Sequence, residues 1–332
     1  MNTVSINLVT WNGAKYIINC LDSVFNQTYT DFSLMIIDNG STDETLSYIT
    51  DKYPQLKIVK HKENLGFAKA HNQAIHWSRS KYVLLLNQDM ILEPDYLKNL
   101  VSFMEKMPEV GAVTGKLRKL HEGEKTNYID SVGINIYKKH KVEELGAGEQ
   151  DEGQYDAITE VFGVSGALPL IRRQALESVM ENNQFFDEDF FNYKEDVDLS
   201  YRLRYLGWKI YKVPTALAYH ERSLAASDSS TFHKIKINRK KRSSFSNYLS
   251  YRNHLYFLIK NLPERTLNYL FPVIAYEISK FIYILFFESR NLKALPEVWQ
   301  NRHKFIAKRK TRKEKQKIQN AEIEKWFYEY KQ

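Results

Sequence analysis

The chain has 332 residues, of which 43% are apolar and 27% charged, so it can bury a packed core and is not a disordered protein. Its single cysteine, Cys20, excludes a disulfide-stapled scaffold and a cysteine-based zinc finger. The net charge is +8, and the basic excess lies in the segments 234–242 and 301–317. Such clusters predict an anionic partner, either nucleic acid or an anionic membrane surface.

The sequence predicts neither a secretory signal nor a membrane-spanning helix. Its first residues, MNTVSINLVTWN, lack a basic segment followed by an apolar run. The most apolar long stretch, 267–287, is interrupted by Glu277 and Lys280, so it falls short of the roughly 18 uncharged residues expected of a span. We therefore expect a cytoplasmic protein.

Residues 1–110 alternate short apolar runs with stretches of helical periodicity, which is typical of a mostly parallel sheet covered by helices on both faces. The predicted strands are 4–10, 33–38, 56–60 and 81–86. The predicted helices run from Tyr16 to Val24, from Ser41 onward with Glu44 three residues later, over 67–77, and from Pro94 to about Met107. The fold class predicted from this order is α/β.

The periodicity weakens between residues 110 and 166, where we predict further strands and a glycine-containing excursion. The segments 172–180 and 195–206 are predicted helices, and 209–213 is a predicted strand that Pro214 ends. Beyond His220 the predicted elements are helices over 245–260 and 263–289, followed by a basic tail with helical character.

Polar residues or glycine follow each of the four predicted strands of the first part. They are Thr10 and Asn12, Asp38 and Asn39, Asn64 and Gly66, and Asn87, Gln88 and Asp89. Ordinary turn chemistry accounts for any one of these groups. All four at one edge of an open parallel sheet favour a ligand site, since ligands bind beyond the carboxyl ends of the strands.

Two kinds of chemistry suit this edge. Asp38 could accept an N–H from a pyrimidine base. The helix starts at Ser41 and Gly66 offer unpaired backbone N–H groups to an anion, and Lys69 lies one turn further on to meet a diphosphate. Asp89 either caps the next turn or binds a divalent cation together with substrate phosphates.

Three carboxylates, Glu195, Asp196 and Asp198, lie at the start of the predicted helix 195–206. Favourable interaction with the helix dipole explains Glu195 and Asp198. A member of the cluster that faces the cleft would instead be a general base for an acceptor hydroxyl. By itself, His220 is most simply an ordinary core or surface histidine, and a ligand role is the alternative.

The order of motifs along the chain resembles glycosyltransferase family 2 and, within it, the bacterial rhamnosyltransferase-like branch. The motifs are VSINLVTWN, IIDNGSTDET, ENLGFAKAHNQAI, YVLLLNQDMILEPDYL and FFNYKEDVDLSYRLRYLGWKIYKVP, followed by YH. This resemblance covers residues 3–225. It implies a GT-A fold with a Rossmann-like, mixed and mostly parallel sheet, an inverting mechanism, a nucleoside-diphosphate sugar donor and a divalent cation, Mg²⁺ or Mn²⁺.

The resemblance also implies a role for each matching residue. Asp196 would be the general base, with Glu195 beside it, and Asp89 and His220 would be metal ligands. The donor would be held by Thr10, Asn12, Asp38, Asn39, Gly66, Lys69, Asn72, Asn87, Gln88 and Asp89. One departure stands out: Asn87 occupies a position where many relatives have an acid.

The resemblance predicts a catalytic domain over residues 1–228, with a nucleotide-sugar-binding half (1–110) and an acceptor-binding half (111–228). It predicts transfer of a sugar, rhamnose as the first choice, from a deoxythymidine or uridine diphosphate sugar to a glycan or lipid-linked acceptor of a bacterial surface polysaccharide. The alternative is a non-catalytic nucleotide-sugar-binding or membrane scaffold protein with a degenerate metal motif. A nucleotidyltransferase is disfavoured because the first loop, TWNGAKY, has no Gly-rich, Arg-containing sequence.

The remaining segment, 229–332, is predicted to be basic, amphipathic and helical. One apolar stripe recurs there at helical spacing: Leu267, Leu270, Phe271, Ile274, Ile278, Phe281, Ile282 and Leu285. The stripe packs either on the catalytic domain, on a second copy of the chain in a homodimer, or in the plane of a membrane surface. No recognisable nucleic-acid-binding module accompanies the basic clusters, so we expect a peripheral membrane protein that binds no nucleic acid.

Overall fold

The computed structural model describes residues 2–222, 239–240, 242–263 and 267–328, without the side chains of 267–269. Its strands are β1 (Val4–Thr10), β2 (Phe32–Asp38), β3 (Ile58–Lys60), β4 (Tyr82–Asn87), β5 (Met90–Leu92), β6 (Val110–His121), β7 (Glu124–Ser131), β8 (Ile134–Tyr137), β9 (Val142–Glu144), β10 (Thr159–Glu160), β11 (Leu170–Arg172), β12 (Lys209–His220) and β13 (Phe327–Tyr328). Its α-helices are α1 (Ile17–Phe25), α2 (Thr45–Lys52), α3 (Gly66–Trp77), α4 (Tyr96–Lys106), α5 (Arg173–Val179), α6 (Glu195–Tyr205), α7 (Ser244–Asn261), α8 (Leu267–Phe287), α9 (Ala294–Lys315) and α10 (Asn320–Glu324).

The main sheet has the strand order β10-β12-β6-β11-β4-β1-β2-β3, with β5 added to β12 and β7 added to β6. Strands β4, β1, β2 and β3 are parallel, and β12 is parallel to β6. The short strand β11 runs antiparallel between β4 and β6. A second sheet joins β8 and β9 to the late strand β13.

The centre of the main sheet is buried on both faces, which explains the continuous apolar runs of its strands. Val4, Ile6 and Leu8 of β1 and Leu84 and Leu86 of β4 are fully buried in one core cluster. The predicted α/β class and the mixed, mostly parallel sheet are therefore confirmed.

Strand β12 differs from the prediction, because it continues through Pro214 to His220. The register of β12 against β6 shifts between Lys212 and Leu217, and Pro214 lies within this irregular part. A proline is tolerated at such a bulge because its missing N–H is not needed for the ladder. The extension carries His220 to a position opposite Met90 of β5, directly beside Asp89.

The C-terminal helices pack on the part of the chain that contains α6. Lys260 of α7 is fully buried, and its ammonium lies 2.9 Å from the carboxylate of Asp187 and 3.0 Å from that of Asp198. Burial is tolerated because these carboxylates compensate the charge. The predicted boundary between residues 228 and 229, and most of the basic segment 234–242, fall in residues 223–238 and lie outside the described residues.

Helix α8 turns the predicted apolar stripe away from the other described residues of the chain. Among its described members, exposure runs from 39% at Leu270 to 79% at Phe271, while Val273 and Ile284 on the other face are buried. Packing of this stripe on the described part of the catalytic domain is therefore ruled out. By length and composition alone, Leu270–Phe287 suffices to cross a membrane, so Glu277 and Lys280 do not exclude a span.

Candidate active site

The carboxyl ends of β1, β2 and β4 meet at one edge of the sheet. Thr10 pairs with Asp38 in the parallel register of β1 and β2. The Thr10 hydroxyl donates to Oε1 of Gln88 at 2.5 Å, and the backbone N–H of Asn39 donates to the carbonyl of Thr10 at 2.7 Å. The structure thus brings together residues that are up to 78 positions apart in the sequence.

Asp38 is a buried carboxylate with an unused oxygen. Its side chain is 1% exposed, and Oδ2 accepts the backbone N–H of Ser41 at 3.1 Å. Oδ1 is buried and has no hydrogen-bond partner. A buried acceptor without a partner costs free energy, so this atom suits a ligand that donates an N–H.

Two asparagines fix the loops at this edge. Asn12 has a left-handed φ of 48°; its N–H donates to Oγ of Ser41 at 2.9 Å, and its side-chain oxygen accepts the N–H of Thr42 at 2.8 Å. Asn39 donates to Asn64 at 2.9 Å and accepts the N–H of Leu65 at 3.0 Å. Both ends of the Asn39 amide are therefore used to tie β2 to the start of α3.

The start of α3 contributes Gly66, Lys69 and Asn72. Gly66 has φ +82°, and a Cβ added there would come within 2.6 Å of the Phe191 ring, so glycine is required on both counts. Lys69 is exposed on the first turn of the helix. Asn72 is 2% exposed, and its side-chain amide is hydrogen-bonded to the backbone of Phe186. The amide nitrogen donates to the Phe186 carbonyl at 2.8 Å, and the amide oxygen accepts the Phe186 N–H at 2.8 Å.

The Asn87-Gln88-Asp89 segment ends β4 at the same edge. The side-chain oxygen of Gln88 is fully used at the end of β1, because it accepts the N–H of Trp11 at 2.9 Å in addition to the Thr10 hydroxyl. The backbone N–H of Asn87 donates to the carbonyl of Ala167 at 3.0 Å. Oδ1 of Asp89 is buried, has no hydrogen-bond partner and lies 3.3 Å from Nε2 of His220.

His220 lies between two carboxylates. Its Nδ1 is 2.9 Å from Oδ2 of Asp130, which also accepts from Nε of Arg222 at 3.0 Å. Burial by itself would lower the pKa of His220, but the charges of Asp89 and Asp130 outweigh it and raise the pKa to about 9. Asp130 is 1% exposed. Its pairing with His220 could not be predicted from the sequence, because the two residues are 90 positions apart.

These residues fit a divalent cation with few protein ligands. Within the described ranges, no group of three or more His, Cys, Asp or Glu side chains is arranged to hold a metal. Asp89 nevertheless has a buried oxygen without a hydrogen bond, and Nε2 of His220 lies 3.3 Å from it and could ligate a cation once its proton is released. A hard cation bound by one or two protein groups completes its coordination with substrate phosphates and water.

Asp196 lies in the first turn of α6, close to the Asn87-Gln88-Asp89 segment. Its Oδ2 accepts the backbone N–H of Gly166 at 3.0 Å, and the next residue, Ala167, is the one that pairs with Asn87. The side chain is half-buried. A hydrogen bond from Gly166 to the Asp196 side chain and a backbone hydrogen bond from Asn87 to Ala167 therefore connect Asp196 with the end of β4.

The other two carboxylates of the cluster are deeply buried. Burial, followed by the neighbouring charge of Asp196, raises the pKa of Glu195 well above its ordinary value. Oε2 of Glu195 has no hydrogen-bond partner. Asp198 accepts hydrogen bonds from Nε of Arg202 at 2.8 Å and from the ammonium of Lys260 at 3.0 Å. It therefore stabilises the packing of α6 against α7 and is not part of the candidate site at the sheet edge.

The segment that leads into α6 has a strained backbone. The φ values are 64° at Phe191, 72° at Tyr193 and 78° at Lys194, and residues other than glycine rarely adopt such positive values. Asn253 of α7 holds this segment, because its amide donates to the carbonyls of Phe190 at 2.6 Å and Tyr193 at 2.9 Å. Strain of this kind persists at functional sites when the surroundings enforce it.

Comparison with known proteins decides the family. Residues 5–180 match the sequence profile of Glycosyl transferase family 2, which is more than half of the chain. The chain belongs to this family. The predicted family is thus confirmed, and so is the GT-A fold: the mannosyltransferase of Pyrobaculum calidifontis has a TM-score of 0.52 at 19% identity, over 89% of this chain and 72% of that chain.

Two family 2 relatives illustrate the range of similar proteins. Chondroitin synthase of Escherichia coli is 33% identical over 144 residues, 42% of this chain and 20% of that protein. N-acetylglucosaminyl-diphospho-decaprenol L-rhamnosyltransferase of Mycobacterium tuberculosis is 26% identical over 236 residues, 65% of this chain and 75% of that protein. The chain spans less than half the length of the first curated relatives that it matches.

Proposed function

We propose that this family 2 member is an inverting glycosyltransferase of bacterial surface polysaccharide synthesis. It moves a sugar from a nucleoside-diphosphate sugar to a hydroxyl of a glycan or lipid-linked acceptor. The observation that carries this proposal is the connection of Asp196 through Gly166 and Ala167 to the strand end that carries Asp89. This connection supports a proton acceptor at Asp196 and a cation site at Asp89 on the same edge of the sheet.

The donor half is assigned to the strand ends. Oδ1 of Asp38 accepts the imide N–H of a pyrimidine base, which supplies the hydrogen bond that this buried atom lacks. Asn12 orients the Ser41 loop next to it. Gly66 and Lys69 line the diphosphate, while Asn39 and Asn72 hold the loops around it.

The divalent cation, Mg²⁺ or Mn²⁺, is assigned to Asp89 and His220. When bound, it neutralises negative charge that develops on the departing diphosphate. The carboxylate of Asp130, 2.9 Å from Nδ1 of His220, favours a proton on Nδ1 and thereby leaves Nε2, on the Asp89 side of the ring, as the nitrogen for the cation. The structure of the Pyrobaculum mannosyltransferase holds GDP-mannose and Mn²⁺, which supports this type of donor and cation.

The Asp130 assignment predicts weaker metal binding in Asp130→Asn. An asparagine keeps the volume but removes the charge that orients His220, and such partners typically contribute 10- to 100-fold to metal affinity. Mn²⁺ affinity in the presence of UDP, measured from the electron paramagnetic resonance signal of free Mn²⁺, should fall by about this factor. Asp95→Asn, on a remote surface, is the control; wild-type affinity in a folded Asp130→Asn protein would refute the assignment.

The transfer step uses Asp196. Its carboxylate accepts the acceptor's hydroxyl proton as that oxygen forms a bond to the anomeric carbon, while the bond from this carbon to the diphosphate oxygen breaks on the opposite face. The products are the inverted glycoside and a nucleoside diphosphate, and the proton remains on Asp196 until water takes it. Burial raises the pKa of the neighbouring Glu195, which favours its uncharged form and so reduces charge repulsion on Asp196.

The donor proposed first is deoxythymidine-diphosphate rhamnose, and a uridine-diphosphate sugar is the alternative. Similarity to the mycobacterial rhamnosyltransferase over 65% of the chain supports the first choice. A panel of nucleotide sugars, with release of nucleoside diphosphate as the readout, tests the enzyme and its donor together. Binding of donors without release from any of them, with or without acceptor extracts, would favour the non-catalytic scaffold.

Helix α8 and the basic helix α9 are assigned to an anionic membrane surface. Helix α9 adds further exposed apolar side chains, Leu295 and Trp299, and Trp299 is 66% exposed. Arg302 lies over the Trp299 ring at 3.9 Å, a pairing of aromatic and cationic groups that suits the lipid headgroup region. A second copy of the chain remains the competing occupant of this face.

The membrane assignment predicts loss of vesicle binding in the triple variant Phe271→Ser, Ile278→Ser, Phe286→Ser. These exposed side chains supply apolar area to the bilayer interface, and their loss should weaken partitioning by more than about 100-fold. Flotation with phosphatidylglycerol vesicles is the measurement, with Tyr48→Ser, Ile158→Ser as the control. Undiminished flotation, or flotation equal on neutral vesicles, would contradict the assignment; a shift from dimer to monomer would favour the second copy.

A further inference from the structure

A cavity of about 320 Å³ lies outside the donor edge, between the turn at Glu188–Phe190, α7 and α9. Its aromatic wall consists of Phe191, Phe245, Tyr256 and Phe305. The rings of Phe191 and Phe245 meet edge to face at 6.0 Å, and Phe245 is 58% exposed at the mouth. The cavity is therefore open to a ligand from solvent.

The charged groups of the lining are largely paired with one another or with close neighbours. Three carboxylates, Glu188, Asp189 and Glu297, face one guanidinium, Arg252, and one amide, Asn301. Arg252 pairs with Glu297 at 3.0 Å, and Lys304 pairs with Asp189 at 2.6 Å, so neither cation is left over for an anionic ligand. Carboxylate and amide oxygens accept hydrogen bonds from hydroxyl groups, and aromatic faces cover the apolar face of a sugar ring.

The cavity adjoins the proposed site of transfer. The Phe191 ring separates it from Gly66 at the donor edge, and the carbonyl of Phe191 accepts the N–H of Ala68 at 3.2 Å. Arg252 of α7 donates to the carbonyl of Asp189 at 3.1 Å and so joins the cavity wall to the strained segment before Asp196. Phe191 thus lies between the cavity and the donor edge.

We infer that this cavity is an acceptor subsite for an uncharged, hydroxyl-rich glycan, with Phe245 as its stacking platform. The inference rests on the proposed function and adds the chemical class of the acceptor. Because its cations are already paired, the cavity disfavours uronate, sialate and phosphate groups, which would lose water there without a compensating charge. Helix α9, one of the two helices assigned to the membrane surface, thereby also lines the acceptor subsite.

The test uses an array of immobilised oligosaccharides, with neutral hexose and N-acetylhexosamine chains beside uronate- and sialate-containing ones, and the full-length protein as the soluble probe. We expect neutral chains to bind in preference to anionic ones. Phe245→Ala should weaken that binding by about tenfold, because it removes the ring that stacks on the sugar. Phe25→Ala, an exposed phenylalanine on α1, should bind as the wild type does.

Nucleoside diphosphate binding by calorimetry, measured on the same proteins, separates the two proposals. Failure of the wild type to bind any of UDP, dTDP and GDP would refute the proposed function itself. Binding of a nucleotide without retention on any neutral chain, preferred binding of anionic chains, or unchanged binding by Phe245→Ala would overturn the acceptor subsite alone.

Discussion

Replacing Asp196 by asparagine is expected to reduce sugar transfer by about 10²- to 10⁴-fold while nucleoside diphosphate binding is retained. An amide cannot accept the hydroxyl proton at neutral pH, so the attacking oxygen would have to lose it to water. The substitution keeps one of two backbone hydrogen bonds: the side-chain oxygen of asparagine can still accept the N–H of Gly166, which Asp196 accepts at 3.0 Å, whereas the N–H of Val197, now accepted by Oδ1 at 2.8 Å, loses its acceptor. The loss should therefore appear in kcat.

The measurement is the rate of nucleoside diphosphate release with and without acceptor, together with calorimetric binding of the nucleotide. Asp22→Asn, at a surface ion pair with Lys52, is the matched control and should retain full activity. If Asp196→Asn turned over at the wild-type rate, Asp196 would not be the base. Loss of nucleotide affinity would instead indicate that Asp196 stabilises the part of the site that binds the nucleotide sugar.

Replacing Asp89 by alanine is expected to reduce transfer by at least about 100-fold, with a loss of Mn²⁺-dependent nucleotide binding. Asp89 has the buried oxygen without a partner that faces His220, so alanine removes the anionic half of the assigned cation site. The effect should depend on metal. With EDTA present, nucleoside diphosphate affinity should be unchanged or higher, because a carboxylate near the phosphates is repulsive without the cation.

Calorimetry with and without Mn²⁺ distinguishes the two contributions, and Asp89→Asn separates charge from volume. If Asp89→Ala lost affinity equally with EDTA and with Mn²⁺, Asp89 would support the loop and not the cation. Equal transfer rates for both variants and the wild type would remove Asp89 from the mechanism altogether.

The parallel half of the fold was predictable because its strands are buried on both faces. Each such strand has a continuous apolar run, and its end is marked by a polar residue or a glycine, as at Thr10, Asp38 and Asn87. Since parallel strands share their carboxyl edge, the proximity of these positions follows from sequence alone.

Contacts between distant segments were not predictable. Asp130 and Asn253 act through partners about 60 to 90 positions away, and no spacing in the sequence indicates those partners. Pro214 was expected to end a strand, but the bulge in β12 accommodates it and brings His220 to Asp89. The left-handed backbone at Phe191 and Tyr193 has no signature, because neither residue is a glycine.

The orientation of α8 shows a further limit of periodicity. The stripe was visible in the sequence, but an apolar face ordinarily turns inward. Here Glu277 lies on the inner side, 2.6 Å from Nε2 of His254, and the apolar face is exposed. Only the tertiary contacts of α7 reveal which face is covered.

The most direct test is a crystal structure of the protein with Mn²⁺ and a non-hydrolysable nucleotide sugar. We predict that the nucleobase binds against Asp38, that the cation joins Asp89 and His220 to the diphosphate, and that the Asp196 carboxylate faces the anomeric carbon from the side opposite the leaving group. A nucleotide bound away from this edge, or an Asp196 on the leaving-group side of the sugar, would contradict the assignment of donor site and base.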